Sequence, residues 1–307
     1  MSVCCGLCDM MYFPGQLADS DSGKSLRTRV LETQSLPPIP QTLLRLLDVI
    51  QNEETSANEL QDIILGDQNL TAKLLKAANS AYYGYSGKVS TVSRAVVALG
   101  FQEVRNTCLC ALLMQHFRTN RGNQQDQLRL WQHSFTTAGL ARLIVSLRPW
   151  IKTEEGYVMG LLHDLGRMVM MISFHDDYLE IRRLATESNT SLFVAEEEYG
   201  MLHTMVGKWL AIKWHLPVVI QRVIEYHHNP LNTPEYHKEV KLVYLANRLA
   251  YADKSIDYSA DDLVKECCRQ LYISSDDWSL LSEKAMHIDQ EAMYLVNTLN
   301  RIDVSIR

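Results

Sequence analysis

The residues with the clearest chemical potential are histidines in the second half of the chain, one of them followed directly by an aspartate. In chain order the set is His133, the pair His163 and Asp164, His203, and the pair His227 and His228. An isolated histidine usually has no special role. These histidines, however, lie in or at the ends of separate predicted helices, in apolar surroundings. Imidazole and carboxylate are ligands that iron, manganese or zinc accept in helical bundles, so the set predicts a metal site.

The elements that must position these side chains are predicted to be helices. No proline occurs between Pro40 and Pro149, which leaves long stretches free to form uninterrupted helix. Apolar residues recur at intervals of three and four, as over residues 43–50, and no run alternates with a period of two. Helix starts are predicted where a serine precedes an acid by three residues. These pairs are Ser56 with Glu59, Ser259 with Asp262, and Ser274 with Asp277. We therefore predict an all-α protein.

Composition limits the classes of function. The 307 residues carry 30 Lys and Arg against 36 Asp and Glu, a net charge of −6, with no long block of one sign. A broad basic face for a phosphate backbone is therefore missing, and nucleic acid is not an expected partner. No stretch reaches the ~20 apolar residues of a membrane span, and the N-terminus lacks the pattern of a signal peptide. We expect a soluble, cytoplasmic protein without a membrane partner.

The seven cysteines argue against a disulfide framework, because an odd total in a chain of this length is typical of reduced thiols. Cys4, Cys5 and Cys8 have a spacing in which thiolates can share one ion. They lack a second pair at zinc-ribbon distance, and glycine and proline nearby indicate an irregular segment. An irregular leader is the favoured interpretation, with a metal site as the alternative.

The polar segment 118–127 is the best predicted boundary between regions. The regions predicted are a leader (1–30), an N-terminal helical region (31–117), a second helical region (128–252) and a C-terminal helical annex (253–307). The first histidine of the chain is His116. The N-terminal region is therefore expected to pack against the second one without supplying any metal ligand. Glu196, Glu197 and Glu198 are interpreted as a solvated helix face.

Several motifs resemble those of known families. Residues 160–167 (GLLHDLGR) resemble the signature of the HD superfamily of metal-dependent phosphohydrolases, and the histidine order is similar to that of its HD-GYP branch. The more complete resemblance is to the HDOD family, a bacterial signalling module related to HD domains, and covers residues 36–252. The segments that carry it are Leu36–Pro40, Ile63–Ser80, Ala95–Gly100, Trp209–Pro217 and Tyr226–Pro230. The resemblance implies two packed helical regions, of which the second is an HD-like bundle.

The resemblance also implies a role for each site residue. His133, His163 and Asp164 would hold a first metal, and Asp164 would also face a second metal near His203, His227 and His228. All six are therefore expected to converge in one pocket. Iron or manganese is favoured over zinc, with one or two ions.

The sequence departs from the catalytic HD pattern at several positions. Asn247 stands where HD enzymes have a ligating aspartate, and Arg167 stands where the catalytic branch has a lysine near the substrate phosphate. Arg129 stands where some HD-GYP enzymes place a glutamate ligand, and the segment after His228 has no Gly-Tyr-Pro motif. The amide of Asn247 removes one charge from the site, so we expect metal binding to weaken and the second ion to be lost first.

Two functions of different classes follow from these observations. The favoured one is a non-catalytic regulatory module that acts on signalling proteins through contacts, with a residual metal site. The alternative is a metal-dependent phosphohydrolase of a nucleotide or cyclic dinucleotide, in which Asp164 and Arg167 would act in catalysis. The signal, the partner and the oligomeric state stay open, and a homo-oligomer is compatible with the sequence.

Overall fold

The computed structural model describes residues 28, 30, 38–51, 56–80, 83–85, 87–118, 124–251 and 261–304. All regular structure in these ranges is helical, which confirms the all-α class. In chain order the helices are α1 (Gln41–Gln51), α2 (Ala57–Leu65), α3 (Gln68–Ala78), α4 (Val92–Leu99), α5 (Phe101–His116), α6 (Gln124–Leu147), α7 (Thr153–Leu162), α8 (Leu165–Ser173), α9 (His175–Glu187), α10 (Leu192–Tyr199), α11 (His203–Lys213), α12 (Val218–Tyr226), α13 (His237–Ala250), α14 (Asp262–Gln270) and α15 (Ser275–Val304). Cys4, Cys5 and Cys8 lie outside the described residues.

Helices α1 to α5 form a layer built around α5. Residues 104–114 of α5 are all buried, because α1 to α4 and α15 contact it from different sides. α4 and α5 meet at Gly100, where a φ of 89° requires a conformation that glycine adopts without strain. α2 begins with the predicted capping box, in which the Ser56 and Glu59 side chains each accept a backbone N–H from the other.

The described helices fall short of a membrane-spanning helix, which needs about 20 mostly apolar residues. None of them alone has the length and apolar character needed to cross a bilayer. Helices α4 and α5 meet those requirements only when joined, with a bend of 118° between them.

The central helix of the second region is α6, which packs against α7, α13 and α15. It begins at Gln124, inside the polar segment that the sequence suggested as a boundary. The Gln127 side chain is buried there and donates to the carbonyl of Phe117. The last residues of the polar segment therefore belong to the packed helix that carries His133.

Helices α8 and α11 cross so closely that no side chain fits between their backbones at the crossing. Gly166 of α8 faces Gly207 of α11, and a Cβ atom on Gly207 would lie 2.9 Å from the backbone nitrogen of Gly166. Two glycines are needed at this crossing because any side chain would separate the helices. The contact brings Asp164, which precedes α8, beside His203, which begins α11.

The C-terminal annex is joined to the rest of the bundle by its long helix. α15 packs along α6 and also contacts α3, α5 and α13. On α15, Asp289 accepts hydrogen bonds from Gln132 and Thr136 of α6 at 2.9–3.0 Å. Ser274 and Asp277 form the predicted cap at the start of α15. α14 differs from prediction: Asp261 caps it, whereas Ser259 lies outside the described residues.

A buried ion pair connects the N-terminal layer to the second region. Arg105 of α5 is 3% exposed and pairs with Glu154 in the first turn of α7. Glu154 also accepts a hydrogen bond of 3.2 Å from the amide of Asn106. Polar groups buried between the layers must satisfy one another, so this pair fixes the position of α5 against α7.

Candidate metal centre

Four imidazole rings surround the carboxylate of Asp164. Its Oδ2 lies 3.7 Å from Nε2 of His133 and 3.5 Å from Nε2 of His163. Its Oδ1 lies 3.2 Å from Nε2 of His203 and 3.6 Å from Nε2 of His227. The structure thus brings together residues that are separated by up to 94 positions along the chain, in two halves that share one carboxylate.

His228 belongs to the half on the Oδ1 side. Asp164, His203, His227 and His228 each offer one ligand atom, and these four atoms all lie within 4.8 Å of one another. The His228 ring stacks on Phe193 with centroids 4.2 Å apart. Its Nε2 is buried and has no hydrogen-bond partner. Stacking therefore holds the ring in place while Nε2 is available as a metal ligand.

Helix ends place most of these side chains. His163 ends α7, and Asp164 stands immediately before α8. His203 is the first residue of α11, and His227 ends α12, whereas His133 projects from within α6. The site is therefore located where several short helices begin or end against one long helix.

The outer nitrogens of three rings are fixed by hydrogen bonds. Nδ1 of His163 lies 2.7 Å from the carbonyl of Gly160, and Nδ1 of His227 lies 3.0 Å from the carbonyl of Ile224. Nδ1 of His203 contacts the Glu196 carboxylate. An acceptor at Nδ1 assigns the proton to that nitrogen and turns the Nε2 lone pair inward, as in metal-binding histidines.

Glu196 corrects one expectation from the sequence. Instead of belonging to a solvated face, its side chain is fully buried. It contacts Nδ1 of His203, accepts from the His203 backbone N–H at 3.0 Å and accepts from Nε of Arg167 at 3.2 Å. The sequence did contain a signal for this position, since Glu196 follows Leu192 by four residues on α10 and so shares its inward face. Glu198 is exposed as expected.

Arg167 is buried and enclosed by internal partners. Its Nη1 donates to Oδ2 of Asp164 and to the hydroxyl of Tyr251, both at 2.8 Å. Its Nε donates to Glu196. Arg167 is only 4% exposed, and the carboxylates of Asp164 and Glu196 balance its charge in place of solvent.

The side of the cluster nearest to solvent is formed by His133 and two neighbours. The Tyr251 ring covers the His133 ring, with centroids 4.2 Å apart. Asn247, which is 3% exposed, lies one turn earlier on α13 and interacts with His133. Tyr251 was not identified from the sequence, because nothing local distinguishes a tyrosine at a helix end from a surface residue.

Burial and charge set the protonation of the cluster. Burial lowers the pKa of His133 and of His163 to about 3. Burial would raise the pKa of Asp164, but the charge of Arg167 and the neighbouring imidazoles together outweigh burial and hold that pKa well below its ordinary value. Metal binding requires neutral imidazoles around an ionised carboxylate. Burial lowers the pKa of His203, but the Glu196 and Asp164 carboxylates outweigh it and raise that pKa, so His203 would release a proton when it binds an ion. The donor set therefore fits a divalent ion such as iron, manganese or zinc.

Comparison with known families agrees with this helical fold. The HDOD domain family matches residues 36–230. The chain belongs to the HDOD family. A curated relative, an uncharacterized protein of Treponema pallidum, is 25% identical over 225 residues, which are 73% of this chain and 42% of that protein. The chain thus spans less than half the length of that relative.

Solved structures show the same helical fold. The crystal structure of an HDOD domain protein of unknown function from Geobacter sulfurreducens has a TM-score of 0.74 and 26% identity, covering 90% of this chain and 98% of that one. A candidate phosphohydrolase from Shewanella amazonensis has a TM-score of 0.71 and 24% identity, covering 92% and 99%. A candidate signal transduction protein from Marinobacter aquaeolei has a TM-score of 0.77 and 22% identity, covering 92% and 66%.

Proposed function

We propose that this protein is a non-catalytic regulatory module that acts on signalling proteins through contacts and keeps a metal site in its second region. The observation that carries the proposal is the environment of Arg167. The guanidinium donates to Asp164, Glu196 and Tyr251, and it is buried. A substrate phosphate would have to displace these internal partners, two of which are charged.

Asn247 supports the same conclusion. It occupies the position of a ligating aspartate in the HD enzymes that the sequence resembles, and it lies next to His133. One ion can activate a water molecule, but clamping both the attacking and the leaving oxygen depends on two closely spaced cations, which need negative charge around them. The cluster has one carboxylate, Asp164, facing all its imidazoles.

Membership of the HDOD family supports the signalling role, because the motifs that define the match resemble a signalling module. The Arg105–Glu154 pair offers a route by which contacts made at the N-terminal layer would reach the second region. The metal is proposed to be iron or manganese in preference to zinc. The partner is a signalling protein whose identity the chain does not specify.

Hydrolysis by the metal-loaded protein tests the proposal. Protein loaded with iron(II) or manganese(II) is incubated with cyclic dinucleotides and with a generic phosphodiester. We expect no turnover above that of the free metal, and at most a trace from Asn247→Asp, which restores the missing carboxylate. Turnover of about 1 per second or more by the wild type would establish the phosphohydrolase alternative instead.

A genetic test addresses the contact mechanism. A strain lacking the gene is complemented with the wild type or with His133→Gln, which removes a ligand that two-metal hydrolysis would need. Regulation through contacts predicts that the variant restores the response that deletion abolishes, provided that it accumulates to the same level. Arg105→Ala should fail to restore it, since this change uncouples α5 from α7.

A further inference from the structure

The Asp164 carboxylate divides the cluster into two triangles of donor atoms. On the Oδ2 side, Nε2 of His133 and Nε2 of His163 lie 3.3 Å apart, and each is within 3.7 Å of Oδ2. On the Oδ1 side, Nε2 of His203 and Nε2 of His227 also lie 3.3 Å apart, and each is within 3.6 Å of Oδ1. Two nitrogens bound tetrahedrally to one zinc-sized ion at about 2.0–2.1 Å would be about 3.3 Å apart. Spacing alone therefore does not distinguish the halves.

Arg167 distinguishes them. Its Nη1 donates to Oδ2 at 2.8 Å and therefore already occupies the oxygen that an ion on the His133 side would need. The guanidinium stays charged at all relevant pH values, and hydrogen bonds to Glu196 and Tyr251 hold it in place. A divalent ion bound to Oδ2 would face this fixed cation at close range in a buried site, where screening is weak.

The Oδ1 side has the opposite character. Oδ1 of Asp164 is buried and faces the imidazoles of His203 and His227, and Nε2 of His228 is buried without a hydrogen-bond partner. These two atoms belong to the residues that, with His203 and His227, form one candidate ligand group. Buried polar atoms are rarely left unpaired, so the His228 nitrogen beside a carboxylate oxygen that faces imidazoles indicates a missing ligand. Oδ1 of Asn247, on the His133 side, is also unpaired, but Arg167 already occupies the Asp164 oxygen there. Three imidazoles and a carboxylate oxygen complete a four-coordinate shell.

We propose that Arg167 takes the place of a metal ion on the His133 side, and that the protein binds a single divalent ion through Asp164 Oδ1, His203, His227 and His228. This inference rests on the proposed function in treating the cluster as a binding site that does not carry out catalysis. It reverses the expectation that the ion beside His133 would be the one retained. Glu196 contributes to both halves, since it anchors His203 and Arg167 together.

Cobalt(II) titration of chelator-treated protein tests the assignment. Bound ions are counted by elemental analysis after desalting, and the visible absorption of bound cobalt reports the coordination. We expect one ion per chain in the wild type. His227→Gln should weaken binding at least tenfold, whereas His133→Gln, the matched change in the other half, should keep one ion with the same spectrum. Arg167→Met, which keeps the length of the side chain and removes its charge, should bind a second ion.

Each other result would overturn the inference: no ion or two ions in the wild type, equal effects of the two histidine variants, or one ion in folded Arg167→Met. If Arg167→Met does not fold, the two histidine variants decide alone. The outcome is separable from the proposed function. Two bound ions without hydrolysis would contradict only this inference, and hydrolysis by the one-ion protein would contradict only the proposed function.

Discussion

A Cβ atom on Gly166 would lie 1.8 Å from the carbonyl oxygen of His203. This distance is far below van der Waals contact, and the obstacle is backbone, which cannot rotate away as a side chain can. Gly166, two residues after Asp164, is thus packed directly against the backbone of His203, which is a proposed metal ligand. The helix crossing and the geometry of the site depend on the same contact.

Gly166→Ala is therefore expected to force α8 and α11 apart. We expect the free energy of unfolding to fall by about 3 kcal/mol or more and metal binding to weaken, because His203 moves away from Asp164. Urea unfolding and cobalt(II) titration measure the two effects. Gly139→Ala is the matched control, since its Cβ would meet the Cγ2 methyl of the Ile288 side chain and no backbone atom. Equal stability of the two variants would contradict the predicted rigidity of this crossing.

Glu196→Gln should weaken metal binding without touching a ligand. The change removes the negative charge that fixes the His203 tautomer and that balances Arg167. Loss of such an outer partner typically lowers metal affinity about 10- to 100-fold. Competition with a coloured chelator measures the affinity. Glu198→Gln, on the exposed face of the same helix, should leave it unchanged, and a similar loss in both variants would argue against a specific role for Glu196.

The Arg105–Glu154 pair is expected to hold the two regions together. Arg105→Ala leaves the largely buried Glu154 carboxylate with hydrogen bonds from two neutral amides, those of Asn106 and Gln102. Breaking one side of a buried pair costs about 3–5 kcal/mol. Chemical denaturation measures this loss. Arg183→Ala breaks an exposed pair with Glu180 and should cost less than about 1 kcal/mol, so comparable losses would show that Arg105 is not a buried anchor.

The stability of chelator-treated protein should depend on pH through the buried histidines. The pKa values of His133 and His163 fall from 6.5 to about 3 on folding, so the unfolded chain binds more protons between these limits. The free energy of unfolding therefore decreases as the pH falls from 6.5 towards 3. Two such groups give a slope of at most about 2.7 kcal/mol per pH unit. Burial lowers the pKa of His203, but the nearby carboxylates outweigh burial and raise this pKa. The stability that protonated His203 contributes is therefore lost as the pH rises above 6.5.

Urea unfolding at several pH values measures this dependence. His133→Gln should reduce the slope of stability against pH below pH 6.5 by about 1.4 kcal/mol per pH unit, which corresponds to one fewer proton taken up on unfolding. His287→Gln, the same change at an exposed position of α15, is the comparison variant. A stability that is constant between pH 4 and pH 6.5 would show that these imidazoles are not buried in their neutral form.

Local sequence features determined the helical class and the identity of the chemical groups. The three-and-four spacing over residues 43–50 predicted α1, and the Ser56–Glu59 pair predicted the start of α2, because capping and amphipathic periodicity act within one or two turns. The histidine order and the HDOD motifs were visible as a linear pattern. They led to the five histidines and the aspartate that the structure brings into one cluster.

Only the tertiary structure decided which charges meet. Glu196 lies 29 positions from Arg167, and Tyr251 lies 84 positions from it, so no local pattern reveals that both enclose its guanidinium. The difference between Oδ1 and Oδ2 of Asp164 is likewise invisible in a sequence. Electrostatic interactions depend on distance and burial in space, and these follow from the crossing of α8 with α11, which long-range packing fixes.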